Sequence, residues 1–131
     1  MIQLERRGQK YHRERLSEAL REEIETIVEG ELSDPRIGLV NVSEVHLAAD
    51  SRSARVMVVV SGDDEETLET MEGLQAANGY VRRELAERLH LRRAPELLFV
   101  LDRSQQNEAR IEELLNRTKK RSASQSTNRR T

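Results

Sequence analysis

Apolar residues recur at helical spacing in the first part of the chain, and Glu and Arg occupy most positions between them. The pattern runs from Arg13 to Glu29, and its apolar members are Leu16, Leu20, Ile24, Ile27 and Val28. A stripe of this kind is typical of a helix that packs one face against a core. The spacing predicts a first helix over 13–29 that ends near Gly30, with residues 1–12 as an N-terminal extension.

Two strands joined as a hairpin are predicted next, after a turn at 33–38 in which an Asp-Pro pair suits a type I turn. In the first strand, 39–47, the apolar residues change from one face to the other partway along. This change predicts either a β-bulge or a strand buried on both faces. In the second strand, 54–60, Ala and Val alternate with other side chains, and the polar turn 50–52 separates the two strands.

Two consecutive helices are predicted after the hairpin. Four acidic residues, 63–66, indicate the start of the first helix, because a helix N-terminus stabilises negative charge. We expect Ala77-Asn78-Gly79 to interrupt it, since Asn and Gly tolerate the backbone angles of a break. The apolar stripe resumes within 81–89, and a third strand is predicted over 96–102.

A short last helix and a disordered tail are predicted at the C-terminal end. Ile111, Leu114 and Leu115 form an apolar stripe within 107–117. From Thr118 onward the chain is polar and basic apart from one Ala, so it cannot bury enough apolar surface to fold. The elements together predict one α+β domain over 13–117, with helices covering one face of a three-stranded sheet, and a disordered basic tail over 118–131.

Composition narrows the classes of function. No apolar run approaches the roughly 18 residues of a bilayer span, and no targeting pattern is visible, so we expect a cytoplasmic protein without a membrane partner. The lack of cysteine excludes thiolate metal sites and thiol nucleophiles. The three histidines lie on separate elements, and phosphate-loop, nucleophile-elbow and EF-hand patterns are absent. We therefore expect no catalytic residues, no metal, no cofactor and no small-molecule substrate.

Charge is distributed unevenly along the chain. Six basic residues from Arg117 onward have no acidic counterpart, and removing them from the net charge of −2 leaves −8 for residues 1–116. An acidic body cannot coat nucleic acid indiscriminately, because such binding grows with the number of phosphates neutralised. Any RNA contact is therefore local. The candidate cluster consists of Arg82, Arg83, Arg88, Arg92 and Arg93.

The helix break beside this cluster suits contact with a sugar-phosphate backbone. A residue without Cβ lets the backbone approach closely, and the N-terminus of the next helix presents N–H groups and a positive dipole end. Arginines add charge-assisted hydrogen bonds to phosphate. Two simpler interpretations stay open from these residues alone, since a single Gly between helices is more often an ordinary turn and a basic helix face is often merely solvated.

Three segments carry a resemblance to a known family. They are Glu31-Leu32-Ser33-Asp34-Pro35-Arg36-Ile37-Gly38, Ala77-Asn78-Gly79-Tyr80-Val81-Arg82-Arg83-Glu84-Leu85 and Leu91-Arg92-Arg93-Ala94-Pro95-Glu96-Leu97. In this order and spacing the chain resembles bacterial ribosome-binding factor A over about 13–116. The resemblance implies a K-homology-like fold of type II with the order α-β-β-α-kink-α-β. It also implies binding to free 30S ribosomal subunits, with a role in their late maturation and in 16S rRNA processing.

The resemblance also implies where RNA is bound. The family has an Ala-x-Gly kink in place of the Gly-x-x-Gly loop of ordinary K-homology domains, and 77–79 matches the kink, so we expect docking on folded rRNA. The expected RNA-binding residues are Ala77, Asn78, Gly79, Arg82, Arg83, Arg88, Arg92 and Arg93, in a protein that acts as a monomer. The alternative is a protein-interaction module that recruits a basic partner through the acidic helix faces at 18–25 and 63–72.

Overall fold

The structure is a computed structural model that describes the backbone of residues 2–129 and the side chains of 12–104, 106 and 108–119. The described helices are α1 Ile2–Gly30, α2 Asp64–Ala76, α3 Asn78–Arg88 and α4 Ser104–Arg129, and the strands are β1 Val40–Leu47, β2 Ser53–Val60 and β3 Glu96–Leu101. Their order along the chain is α1-β1-β2-α2-α3-β3-α4. This architecture confirms the predicted α+β class.

The three strands form one mixed sheet in the order β1-β2-β3. β1 and β2 are antiparallel, and their register shifts between Val42 and Glu44, which confirms a β-bulge and leaves Ser43 as the extra residue. β2 and β3 are parallel. Parallel neighbours require a crossover connection, and α2 with α3 forms that connection. The crossover therefore brings the start of β3 beside the start of β2, with Ser53 opposite Glu96.

The core lies between one face of the sheet and the helices. Alternate residues of β2 are buried on this face, namely Ala54, Val56, Val58 and Val60. The buried helical partners are Leu20, Ile24, Ile27 and Val28 of α1, Leu74 of α2, and Val81 and Leu85 of α3. On the opposite face Arg55 is exposed, and Leu98 keeps 56% of its surface accessible. The helices thus cover one face, as predicted.

The first helix is longer than predicted. It ends at Gly30 as expected but begins at Ile2 rather than at Arg13, so the predicted N-terminal extension is helical from Ile2 onward. The apolar stripe detects only the part of a helix that packs on a core. Residues such as Leu, Glu, Arg, Gln and Lys favour helix without such packing, which explains why periodicity missed the first three turns.

The last helix also departs from prediction. α4 spans Ser104–Arg129, whereas the stripe predicted a helix over 107–117 followed by disorder from Thr118. Composition excludes a core for this segment, but a helix satisfies its backbone hydrogen bonds internally, and Lys, Arg, Gln and Ala favour it. The prediction of disorder is therefore wrong for 118–129, while 130 and 131 lie outside the described residues. Residues 102–131 form a compact unit distinct from residues 1–101.

Candidate RNA interface

The break between α2 and α3 is a single residue. Ala77 has φ −82° and ψ −3°, and its N–H donates to the carbonyls of Gly73 and Leu74, while Asn78 and Gly79 already belong to α3. Neither of these two residues adopts positive φ. The expectation that they supply unusual backbone angles is therefore wrong.

A tertiary hydrogen bond holds the start of α3. The Asn78 side-chain nitrogen Nδ2 donates to the Leu97 carbonyl of β3 at 2.7 Å. This bond satisfies a carbonyl of the strand and ties the first residue of the helix to the sheet. A contact with β3, rather than a special conformation at the break, therefore fixes the first residue of α3.

Gly79 lies on an open surface. It is exposed, and a Cβ added there would meet no heavy atom of the protein within 4 Å. Its φ also lies outside the left-handed region. Packing and backbone conformation therefore both accept a larger residue at this position. Glycine at 79 therefore leaves the backbone accessible from outside the domain.

The end of α3 is built around His90. This residue has φ 54°, and the next amide, that of Leu91, donates to the Ala86 carbonyl at 2.9 Å. A left-handed residue followed by this bond is a Schellman ending, a position that usually carries Gly or Asn. His90 thus has a structural role, and the turn that it makes leads directly into Arg92 and Arg93.

Arg88 lies among three carboxylates. It pairs with Glu31 at 2.6 Å, with Glu84 at 3.3 Å and with Glu23 at 3.4 Å. The hydrogen bond to Glu31 raises the pKa of Arg88 above its ordinary value, and the bond to Glu23 adds to that effect. The guanidinium therefore joins α3 to the C-terminal part of α1 and to the residue that follows it. Its charge is neutralised within the domain.

Arg82 holds the loop that precedes β3. Its Nε donates to the Pro95 carbonyl and its Nη2 to the Ala94 carbonyl, both at 3.1 Å, whereas Nη1 is engaged in neither bond. Both loop residues are buried. The predicted RNA-binding residue is therefore also a structural one, which the position of Arg82 within a basic run did not indicate.

The remaining three arginines of the cluster face solvent. Arg83, Arg92 and Arg93 are exposed, and within the described part of the chain their side chains take part in no hydrogen bond or ion pair. Arg83 lies one helical turn after Gly79, so the two share a face of α3. These arginines keep their full charge available for an external anion.

Several of these residues line two neighbouring clefts. One, of about 390 Å³, is lined by Ser51, Arg52, Arg82, Arg93, Ala94, Pro95 and Glu96. The other, of about 510 Å³, is lined by Ser53, Gln75, Asn78, Gly79, Arg82, Glu96, Leu97 and Leu98. Arg82 and Glu96 border both. The structure thus brings Asn78, Gly79, Arg82 and Arg93 together along one groove.

Arg52 is the residue of this groove that sequence reasoning missed. It belongs to the polar turn between β1 and β2, some thirty positions before the cluster. Nothing in its local sequence distinguishes it from a solvated turn residue. Only the parallel pairing of β2 with β3 brings this turn beside Arg93, and the strand predictions left the direction of β3 undetermined.

Ala77 faces a different and acidic environment. It lines a separate cavity of about 290 Å³ with Glu31, Leu32, Ser33, Asp34 and Tyr80. Arg36 donates side-chain hydrogen bonds to Asp34 at 2.7 and 3.1 Å, and they lower the pKa of Asp34, keeping the carboxylate ionised. The two sides of the break therefore differ: the carboxylates beside Ala77, Glu31 and Asp34, are paired with Arg88 and Arg36, whereas Arg83 on the Gly79 side is unpaired among the described residues.

Metal-binding clusters and membrane-spanning helices are absent from the part of the chain that the structure describes. No group of three or more His, Cys, Asp or Glu side chains within it is arranged to hold a metal ion. None of the described helices is long and apolar enough to cross a membrane.

Comparison with known proteins gives consistent matches. The family described as ribosome-binding factor A matches residues 12–115. The ribosome-binding factor A of Koribacter versatilis is 58% identical over 121 residues, covering 92% of this chain and 98% of that protein. That of Halothermothrix orenii is 47% identical over 105 residues, covering 80% and 86% respectively.

Solved structures of the same kind are similar in fold. The crystal structure of ribosome-binding factor A from Thermus thermophilus has 31% identity, covers 74% of this chain and 98% of its own, and gives a TM-score of 0.54. A homology model of the Thermus thermophilus protein, fitted into a cryo-EM map of a 30S–RbfA complex, has 31% identity, covers 69% and 90%, and gives a TM-score of 0.51.

Proposed function

Because the chain belongs to the ribosome-binding factor A family, we propose that it is an assembly factor for the small ribosomal subunit. It binds free 30S subunits and assists their late maturation and 16S rRNA processing by binding folded rRNA. The 30S complex of the Thermus thermophilus relative supports this choice of partner. The observation that carries the site is the set of exposed, unpaired arginines beside Gly79 on an otherwise acidic body.

We assign the contact to an arginine surface composed of Asn78, Gly79, Arg82, Arg83, Arg92 and Arg93. Ala77 lies at its edge, toward the acidic cavity. Arg88, although part of the sequence cluster, is assigned a structural role, since three carboxylates already surround it. An arginine so neutralised adds little attraction for phosphate.

The geometry of the break favours folded RNA over a loose single strand. A break of one residue, with the N–H of Ala77 already bonded, leaves no loop of free amides to wrap a strand. The described aromatic side chains are also too few to stack successive bases. Arginines that extend from a fixed backbone instead suit the fixed phosphate positions of a structured RNA.

Binding alone is sufficient for the assisting role. A ligand shifts a conformational equilibrium by the difference between its affinities for the two states. A factor that binds one arrangement of the immature subunit more tightly stabilises that arrangement until maturation removes the preference. The mechanism therefore requires no catalytic group.

The test compares two double variants with the same change in net charge. Arg83→Glu with Arg92→Glu alters the arginine surface without breaking an internal bond. Arg21→Glu with Arg55→Glu alters exposed arginines on α1 and on the outer sheet face, where Arg21 forms only an exposed pair with Glu25. Co-sedimentation with purified free 30S subunits should show at least about tenfold weaker binding for the first variant.

The control should remain within about twofold of the unaltered protein, with circular dichroism confirming both folds. Equal losses in the two variants would show that overall charge, not this surface, determines binding.

The alternative protein-interaction function is tested by nuclease treatment of captured complexes, since a partner retained after RNA removal would favour it. Against it, Glu23 and Glu25 of the acidic α1 face already pair with Arg88 and Arg21.

A further inference from the structure

We infer that Arg52, in the turn of the β1–β2 hairpin, binds a phosphodiester of the same RNA together with Arg93, in the cleft beside Arg82. The inference rests on the proposed function and adds a third segment to its contact surface. It follows from where the hairpin turn is held, what forms the floor of the cleft, and the balance of charge around it.

The hairpin turn is fixed rather than loose. Ser51 has φ 60°, and its N–H donates to the Ala48 carbonyl at 2.9 Å. The Arg52 N–H donates to the Asp50 carboxylate at 3.0 Å, and the Arg52 carbonyl accepts from the Glu96 N–H at 2.9 Å. The last of these bonds ties the turn to the first residue of β3. The backbone of Arg52 is therefore held at the cleft, while its side chain is left for other contacts.

The floor of the cleft is rigid as well. Ala94 and Pro95 are buried, and both carbonyls accept hydrogen bonds from Arg82. Arg93 immediately precedes this fixed pair. The cleft is thus lined by arginines from three separate segments: the hairpin turn, α3 and the loop before β3. Hydrogen bonds hold the backbone of both the turn and the loop.

Charge in the cleft strongly favours an anion. Its lining includes three arginines and a single carboxylate, that of Glu96. Within the described residues the side chains of Arg52 and Arg93 form no hydrogen bond or ion pair. An anion in the cleft would be attracted by both unpaired guanidinium groups and could accept hydrogen bonds from each.

The shape of the cleft indicates a polyanion. Its volume of about 390 Å³ exceeds what one phosphate group fills, and it shares Arg82 and Glu96 with the neighbouring cleft that Gly79 lines. A chain with regularly spaced phosphates would pass the bare backbone at Gly79 and place another phosphate between Arg52 and Arg93. An RNA backbone fits this path better than an isolated acidic side chain.

The test uses Arg52→Gln with Arg55→Gln as the matched control. Arg55 is an exposed arginine three positions along, outside the cleft, and also without an internal partner among the described residues. Binding to free 30S subunits is measured at several KCl concentrations. Arg52→Gln should weaken binding about five- to tenfold at low salt and reduce the slope of log K against log salt by about 1, whereas Arg55→Gln should change neither.

The outcomes separate this inference from the proposed function. If Arg83→Glu with Arg92→Glu weakens binding but Arg52→Gln behaves like Arg55→Gln, the role of Arg52 is refuted and the proposed function stands. If neither set changes binding, both fail. If Arg52→Gln instead weakens capture of a protein that stays bound after nuclease treatment, the inference is overturned in favour of an acidic protein ligand at this cleft.

Discussion

The five arginines between positions 82 and 93 differ in what their guanidinium groups contact. Arg88 contacts carboxylates, Arg82 contacts backbone carbonyls, and Arg83, Arg92 and Arg93 face solvent. A guanidinium with several carboxylate partners contributes little net charge to its surroundings, whereas an unpaired one retains its attraction for phosphate. Arginines within twelve positions of one another therefore contact carboxylates, backbone carbonyls or solvent. The tertiary packing around each residue determines which of these it contacts.

Gly79 allows a residue-scale prediction in which stability and binding change in opposite directions. Gly79→Ala should raise the free energy of unfolding by about 0.5–1 kcal/mol, because the position is helical with open space around it. The same methyl group should weaken binding to 30S subunits about tenfold, since forcing it into a close contact with RNA costs about 1–3 kcal/mol. Urea denaturation and co-sedimentation measure the two effects.

Gly30→Ala is the matched control. Gly30 is also helical and open, at the end of α1, and it lines none of the described clefts of the arginine surface. This substitution should stabilise the protein to a similar degree and leave binding unchanged. A loss of stability in Gly79→Ala would mean that the break itself needs glycine. Unchanged binding would mean that RNA does not approach position 79.

The sequence determines the location of the arginine cluster but not the role of each arginine in it. A basic run beside a Gly-containing break could be recognised from spacing, and it does identify the exposed Arg83, Arg92 and Arg93. The structural roles of Arg82 and Arg88 could not be predicted, because their partners lie as far away as Glu23 and Pro95. The residues that neighbour Arg82 and Arg88 in sequence do not indicate these distant partners. Identifying them requires knowing how α1 and β3 pack against α3.

Among the elements, α2 depends on a buried polar contact with the turn before β1. Thr70 is the only polar or charged side chain among the described residues that is fully buried. Its hydroxyl accepts from the Gly38 N–H at 3.0 Å and donates to the Arg36 carbonyl at 3.4 Å. Gly73, one turn later, approaches Ile37 so closely that a Cβ there would lie 2.6 Å from its side chain. The turn and the helix therefore fit together as one unit.

Thr70→Val should destabilise the protein by about 1–3 kcal/mol. Valine keeps the shape of threonine but leaves the Gly38 N–H and the Arg36 carbonyl without their partner in a partly buried place. The measurement is the free energy of unfolding from urea titration. Thr26→Val, where the hydroxyl bonds only to its own helix at Glu22, should change it by less than about 0.5 kcal/mol.

Equal effects of the two substitutions would show that the contact with the turn adds nothing to stability. The comparison is informative because Val and Thr have nearly the same helix propensity, so the intrinsic cost is similar at both positions.

At the same scale, sequence patterns predicted elements better than their ends. The phase change within β1 indicated either a bulge or a strand buried on both faces, because side-chain alternation records which face is buried, and the structure shows the bulge at Ser43. The start of α2 was also predictable, and Asp63 caps it by accepting from the Glu66 N–H at 2.8 Å. The extents of α1 and α4 were not, since the sequences of 2–12 and 118–129 contain no apolar stripe from which a helix could be detected.

Considered as a whole, the molecule combines an acidic body with a strongly basic C-terminal segment, residues 118–131. Under the proposed function, the acidic body repels nucleic acid except at the arginine surface and thereby restricts the orientation of RNA binding. The basic segment contains five Lys and Arg residues and no acidic residue. α4 continues into it as far as Arg129, so much of this charge is arranged along a helix.

Removing residues 118–131 should therefore alter the salt dependence of binding more than its specificity. Each phosphate neutralised contributes about 0.9 to the slope of log K against log salt, so loss of a few such contacts should lower the slope by about 1–3. Affinity for 30S subunits near 0.15 M salt should fall about three- to tenfold. Substituting Gln for Lys119, Lys120 and Arg121 should reproduce most of the change, because charge rather than length causes it. Complete loss of binding on truncation would instead identify the basic segment as the main contact, and Arg83→Glu with Arg92→Glu would then have little effect in the full-length chain.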